Sequence, residues 1–177
     1  MAKSLPILGI CATGSNSGKT TLISKLIPEL AKHKIRVSVI KHAHHKFDID
    51  HPGKDSYEIR EAGAVQTLIA SGKRWALMTE MQRTPNPPDE ANLQELIANL
   101  NPDYADLILV EGFKHADIPK IEVHRVSLAM PLLSAIDSSI IAIATDAPLA
   151  NAPDIKQLDL NNIQQITDFI LQTICQK

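Results

Sequence analysis

The chain is expected to fold as an α/β protein with a mainly parallel sheet covered by helices on both faces, and three features of the sequence lead there. Residues 5–11, 107–110 and 140–144 are short, wholly apolar runs that stop at glycine or polar residues, the pattern of strands buried on both faces. Stretches with apolar residues at helical spacing alternate with them. Ser71-Gly72-Lys73 joins two further strand candidates at hairpin spacing, so an antiparallel insertion is expected as well.

In chain order, the first strand is residues 5–11, and a helix follows Gly18. Its apolar stripe is Leu22, Ile23, Leu26, Ile27 and Leu30. Pro28 lacks an N–H and its ring meets the carbonyl of Ser24, which predicts a kink or an early end there. Residues 36–41 are rich in Val and Ile and read as a second strand, followed by a polar loop. Residues 55–62 then read as a short helix closed by Gly63. The hairpin pairs 65–70 with 74–79, and its Trp75 is a core or interface residue. Pro85, Pro87 and Pro88 mark a connection, after which a helix capped by Asp89 would bury Leu93, Leu96, Ile97 and Leu100. Ile163, Ile166, Phe169, Ile170 and Ile174 define a final packing helix.

Composition narrows the function classes. With 177 residues, 44% of them hydrophobic and 21% charged, the sequence suits one domain spanning 1–177. A net charge of −2 with both signs dispersed gives no basic footprint for nucleic acid. No apolar run reaches the roughly 20 residues that span a bilayer, so a membrane role is not expected. Cys11 and Cys175 lie far apart in apolar segments, which suggests two buried free thiols and a cytoplasmic protein.

The segment Thr13-Gly14-Ser15-Asn16-Ser17-Gly18-Lys19-Thr20-Thr21 lies between the first strand and the first helix. This is a P-loop variant. Successive N–H groups and the positive helix end surround phosphate, Lys19 reaches its outer oxygens, and the Thr20 hydroxyl suits Mg²⁺. Thr13 stands where the strict spacing has glycine.

Glu111, ending the strand from 107, is placed to hold the metal's water shell, an exposed strand-end carboxylate being the competing reading. Asp106 starts that strand and should lie far from the phosphates. Asp55 is a further candidate for the Mg²⁺ shell. Asp146 follows the strand from 140, where a carboxylate could accept two hydrogen bonds from the guanine edge and so favour GTP. An ordinary Asp-Ala-Pro turn is the alternative there. His42, His44, His45 and His51 share a loop with Asp48, Asp50 and Asp55. That loop could bind a transition metal, clamp phosphate, face a partner or simply be solvated.

On these residues the chain resembles the MobB family of molybdopterin-guanine dinucleotide biosynthesis. The resemblance rests on Ser17-Gly18-Lys19-Thr20-Thr21, Lys41-His42-Ala43-His44-His45, Pro52-Gly53-Lys54-Asp55-Ser56-Tyr57-Glu58, Arg74-Trp75-Ala76-Leu77-Met78-Thr79-Glu80 and Leu107-Ile108-Leu109-Val110-Glu111-Gly112-Phe113-Lys114-His115. The His-rich and Glu-Gly-Phe-Lys-His segments together are the specific part, and the C-terminal third matches only loosely. The resemblance implies a P-loop NTPase fold and a GTP-binding homodimer that is at most a weak GTPase. It implies assistance to a MobA-type guanylyltransferase attaching GMP to molybdopterin. His42, His44, His45, Lys54, Lys114 and His115 would then form a surface for that partner or for the pterin. Nothing marks a catalytic residue. The rival readings are a metal-delivery GTPase using the histidines, and a small-molecule kinase with Asp48, Asp50 or Asp55 as base.

Overall fold

Side chains alternate between the two faces of a strand, and the central strands here carry apolar residues at both parities. Both faces must therefore be covered. The computed structural model describes residues 4–43, 47–149 and 154–175. In chain order its elements are β1 (Ile7–Cys11), α1 (Lys19–Lys32), β2 (Val37–Lys41), α2 (Asp55–Glu61), β3 (Gln66–Ala70), β4 (Trp75–Thr79), α3 (Leu93–Ala98), β5 (Leu107–Glu111), β6 (Lys120–His124), β7 (Ile140–Thr145), β8 (Lys156–Asp159) and α4 (Ile163–Thr173). The chain divides into two compact units, Met1–His42 with Leu93–Lys177, and Ala43–Asn92.

The larger unit is built on a six-stranded sheet of order β2-β5-β1-β6-β7-β8 in which every neighbouring pair is parallel. On one face Leu22, Leu26 and Leu30 of α1 and Ile166 and Ile170 of α4 bury Leu8, Ile10, Leu109, Ile121 and Val123. On the other face Leu93 of α3 packs with Ile40, Ile108, Val110 and Ile118, joined by Ile97 and Leu100. The smaller unit contains α2 and the antiparallel pair β3-β4, in register Leu68 to Leu77 and Ala70 to Trp75.

Three sequence expectations are corrected. Helix α1 runs through Pro28 to Lys32 instead of ending early. Pro28 and Ser24 face solvent, so the carbonyl that loses its helical partner can bond water. Leu26 and Leu30, fully buried on either side, keep the last turn on the sheet. The helix expected from Asp89 begins at Leu93, because the apolar positions that dock it start there and residues 89–91 are exposed. Cys175 is only half-buried, whereas Cys11 is buried, and both are free. Burial foremost, and then the charge of Glu122, push the Cys11 thiol up to about 12, which keeps it protonated and unreactive.

Strand β6 is a finding the sequence reading did not anticipate. It is buried along its whole length, with Ile121 and Val123 in the core and Lys120, Glu122 and His124 at the other parity. Lys120 and Glu122 reach loop backbone instead of water. Lys120 Nζ donates to the carbonyls of Ala116 (2.6 Å) and Lys114 (3.1 Å) and pairs with Asp137 Oδ2 at 2.9 Å. Glu122 accepts the N–H groups of Leu133 and Ser134 at 2.8 and 2.9 Å. Gly9, the register partner of Lys120, makes room for its stem, since a Cβ there would lie 2.6 Å from Lys120 Cγ.

Candidate functional site

The carboxyl ends of β1, β2, β5, β6 and β7 lie side by side, and the loops leaving them carry the chemistry-bearing residues. The loop after β1 turns through Asn16 and Gly18, both at positive φ (60° and 102°), and runs into the N-terminus of α1. Lys19 Nζ lies over this loop, donating to the Gly14 carbonyl at 3.1 Å and the Ser17 hydroxyl at 3.4 Å. Ser15, Asn16, Thr20 and Thr21 are exposed. The cradle thus opens to solvent, with its lysine folded across it.

Thr20 and Glu111 meet. The Thr20 hydroxyl donates to Glu111 Oε1 at 2.8 Å, and Glu111 is otherwise buried. Lys41 Nζ, from the adjacent end of β2, lies 3.1 and 3.2 Å from the two Glu111 oxygens and 3.3 Å from the Thr20 hydroxyl. Glu111 is followed by two residues at positive φ, Gly112 (86°) and Phe113 (46°). Glycine is required at 112 because a Cβ would come 2.9 Å from His42 Cβ. The His42 ring stacks on Phe113 with centroids 4.5 Å apart, and the His42 backbone N–H donates to the Glu111 carbonyl at 2.9 Å. Lys114 and His115 are exposed on the same loop.

Thr13, unexplained by its sequence position, donates its hydroxyl to the Pro131 carbonyl at 2.6 Å. It therefore ties the P-loop to the segment after β6, whose Met130 methyl would lie 3.4 Å from a Cβ at Gly14. Thr13, Gly14, Ser17, Arg125, Leu128 and Met130 line a small cleft there. Arg125 was missed by sequence reasoning. Its Nε donates to the Ser17 carbonyl at 3.1 Å, and its guanidinium packs against Gly18. The only signal available was its place directly after the alternating Lys-Ile-Glu-Val-His strand.

Asp146 stands at the end of β7, with Oδ1 accepting the Val126 N–H at 3.0 Å and Oδ2 accepting Arg125 Nη1 at 3.3 Å. The Val126 bond first, and the arginine after it, hold its carboxyl below the usual range despite partial desolvation. Each oxygen keeps a further lone pair for another donor. Asp106 lies at the opposite end of the sheet, bound to Arg36 Nε at 2.9 Å.

Lys54 and Asp55 lie in the smaller unit, at the start of α2. His44 and His45 fall outside the described residues. In the smaller unit Asp48 pairs with Arg60 at 2.7 Å, and Asp50 accepts the Ser56 hydroxyl at 3.1 Å. Among the described residues no group of three or more His, Cys, Asp or Glu is placed to hold a metal ion. No described helix is long and apolar enough to cross a membrane.

The family model described as molybdopterin guanine dinucleotide synthesis protein B matches residues 7–146, from the first residue of β1 to Asp146. The chain belongs to the MobB family. The matched region contains Lys19, Thr20, Lys41, Glu111 and Arg125. The molybdopterin-guanine dinucleotide biosynthesis adapter protein of Escherichia coli (strain K12) is 47% identical over 95% of this chain and 93% of its own length. The protein of the same name from Haemophilus influenzae is 49% identical over 96% and 90%. Among solved structures, molybdopterin-guanine biosynthesis protein B superposes with a TM-score of 0.68 at 29% identity, over 94% of this chain and 97% of that one. Two MobB relatives so similar across nearly their whole length also account for the C-terminal third, which the motifs left loosely matched.

Proposed function

We propose that this chain is a GTP-binding adapter of molybdopterin-guanine dinucleotide biosynthesis, assisting a MobA-type guanylyltransferase in the attachment of GMP to molybdopterin. The observation that carries the nucleotide reading is the meeting of Lys19, Thr20 and Glu111 at one open cradle. The names of the two relatives support the adapter role. Loop N–H groups and the α1 N-terminus would surround the phosphates, and Lys19 would exchange its contacts with Gly14 and Ser17 for phosphate oxygens. A hydroxyl and a carboxylate already in contact suit a hard cation, so Thr20 and Glu111 would hold Mg²⁺. Bound there, Mg²⁺ would neutralise charge on the outer phosphates. Asp146, its orientation fixed by Val126 and Arg125, would accept the guanine N1 and N2 edge. Hydrolysis would be weak, because the Arg125 guanidinium is committed to Ser17 and Asp146.

Asp48 and Asp50 are engaged within the smaller unit, and the Asp48 carboxyl is held low by the Asp50 N–H first, which makes it a poor general base. This disfavours Asp48 and Asp50 as the base of the kinase alternative. The exposed Lys114 and His115, on one loop with Phe113 and with His42 stacked on that phenylalanine, would be the surface offered to the guanylyltransferase or to molybdopterin.

Calorimetric titration of the purified protein with GTP and with ATP, in Mg²⁺ and with or without added Zn²⁺, tests the reading. GTP should bind at least about tenfold tighter than ATP, a difference of about 1.4 kcal/mol, regardless of Zn²⁺. ATP preference would favour the kinase reading, and dependence on Zn²⁺ the metal-delivery reading.

A homodimer is part of the same proposal. Leu68, Ile69, Trp75 and Leu77 are exposed on the β3-β4 hairpin, Trp75 by 59%, and a two-stranded ribbon with apolar exposed residues is marginal alone. Sedimentation equilibrium should return twice the 19.4 kDa chain mass for the native protein. The Trp75→Glu variant should shift toward monomer, and an unshifted dimer would remove the hairpin from the interface.

A further inference from the structure

Lys41 is the last residue of β2, and the parallel register sets it directly beside Glu111, the last residue of β5. Side chains at paired positions of neighbouring strands point to the same face, so the lysine reaches the glutamate without any loop rearrangement. Its Nζ contacts three oxygens, both from the Glu111 carboxylate and the one from the Thr20 hydroxyl. These are the same oxygens that the nucleotide reading gives to Mg²⁺. An ammonium and a divalent cation cannot share them, since like charges within about 4 Å repel strongly even at a protein surface.

The two partners differ in freedom. The Glu111 side chain is 10% exposed and the Lys41 side chain 54%. Glu111 is fixed by the packing around β5, while the lysine approaches from solvent on a flexible stem. Its backbone is held by strand pairing, and the next residue, His42, is tied to the Glu111 carbonyl. The ammonium can therefore leave by rotating its own side chain, with the strand unmoved.

We propose that Lys41 is the resident cation of this site, neutralising Glu111 until Mg²⁺ arriving with the nucleotide displaces it. The inference rests on the nucleotide reading above. Two consequences follow. The nucleotide-free protein resists divalent cations, because binding one means expelling an ammonium already in place. Nucleotide binding without Mg²⁺ is partly sustained, because Lys41 leaves a positive charge where the outer phosphates need one. A plain surface salt bridge would produce neither effect.

The test compares wild type with Lys41→Met, which keeps the length of the side chain and removes its charge, and with Lys41→Arg, which keeps the charge. Mn²⁺ binding to nucleotide-free protein is followed by electron paramagnetic resonance, and GTP affinity is measured by calorimetry in Mg²⁺ and in EDTA. Lys41→Met should bind Mn²⁺ about tenfold tighter than wild type, and its ratio of GTP dissociation constants, EDTA over Mg²⁺, should rise by about tenfold or more. Lys41→Arg should stay near wild type in both. Equal Mn²⁺ affinity and an equal ratio in wild type and Lys41→Met, with GTP bound normally by both, would overturn the inference. If wild type binds no guanine nucleotide, the nucleotide reading fails instead, and the Mn²⁺ comparison alone decides whether Lys41 guards the cation position.

Discussion

Lys19→Ala is expected to weaken GTP binding by about a hundredfold or more while leaving the fold intact. Lys19 Nζ is held at the rim of the cradle by two weak contacts, 3.1 Å to a carbonyl and 3.4 Å to a hydroxyl, on a half-buried side chain. Exchanging these for phosphate oxygens replaces neutral acceptors with charged ones. Charge-assisted bonds of that kind contribute roughly 1.5–3 kcal/mol each, so the loss should exceed about 3 kcal/mol, or about two decades in affinity. The folded protein loses little, because neither contact joins distant elements. Calorimetry gives the affinity and circular dichroism the melting temperature. GTP affinity unchanged in a folded Lys19→Ala protein would end the P-loop assignment.

The largest stability effect is expected at Lys120. Its side chain is 2% exposed, and its ammonium serves two carbonyls and the Asp137 carboxylate. Burial alone would raise the Asp137 carboxyl, but the bonds to Lys120 and Ser139 outweigh it and hold the group below its usual range. Lys120→Ala removes the one cation those acceptors share and opens a void over Gly9. Breaking a buried pair from one side costs about 3–5 kcal/mol. Asp137, 27% exposed, can recruit water, so we expect about 3 kcal/mol, or a fall of roughly 6–12 °C in Tm. Lys120→Met, which refills the volume without the charge, separates packing from charge. It should recover only part of the loss, and full recovery by urea denaturation would assign the site to packing alone. The functional stake is local, since the carbonyls that Lys120 holds belong to the Lys114–Ala116 turn just past Glu111.

Much of this site was legible in the sequence because its signals are short-range. A P-loop is a contiguous run, and its Lys19 and Thr20 need no distant information to be recognised. Glu111 was legible for a similar reason, as the first polar residue after four buried apolar ones. Lys41 stood in a segment already marked by its histidines, yet its role was invisible. It depends on β2 lying beside β5, a pairing between residues seventy apart in the chain. Arg125 and Thr13 were opaque likewise, since each acts on a partner more than a hundred positions away.

Strand β6 shows the limit most plainly. Lys-Ile-Glu-Val-His has the alternation of a half-exposed strand, and its charges argue against a central place. In the fold it pairs with β1 and β7 and is buried throughout. Lys120 and Glu122 are tolerated there because loop carbonyls, loop N–H groups and Asp137 take the place of water. Pro28 is the converse case, where a local rule said stop and the burial of Leu26 and Leu30 carried the helix on.

By itself, then, the sequence determined the α/β class, the parallel core strands, the hairpin, the glycine-containing loop between β1 and α1, and the family, all of which follow from residue type and near spacing. Only the tertiary structure decided which side chains become partners: Lys41 with Glu111 and Thr20, Thr13 with Pro131, Arg125 with Ser17 and Asp146. The reason is that a parallel sheet assembles its site from the carboxyl ends of strands that are neighbours in space but not in the chain, so the register sets the distances on which the chemistry depends.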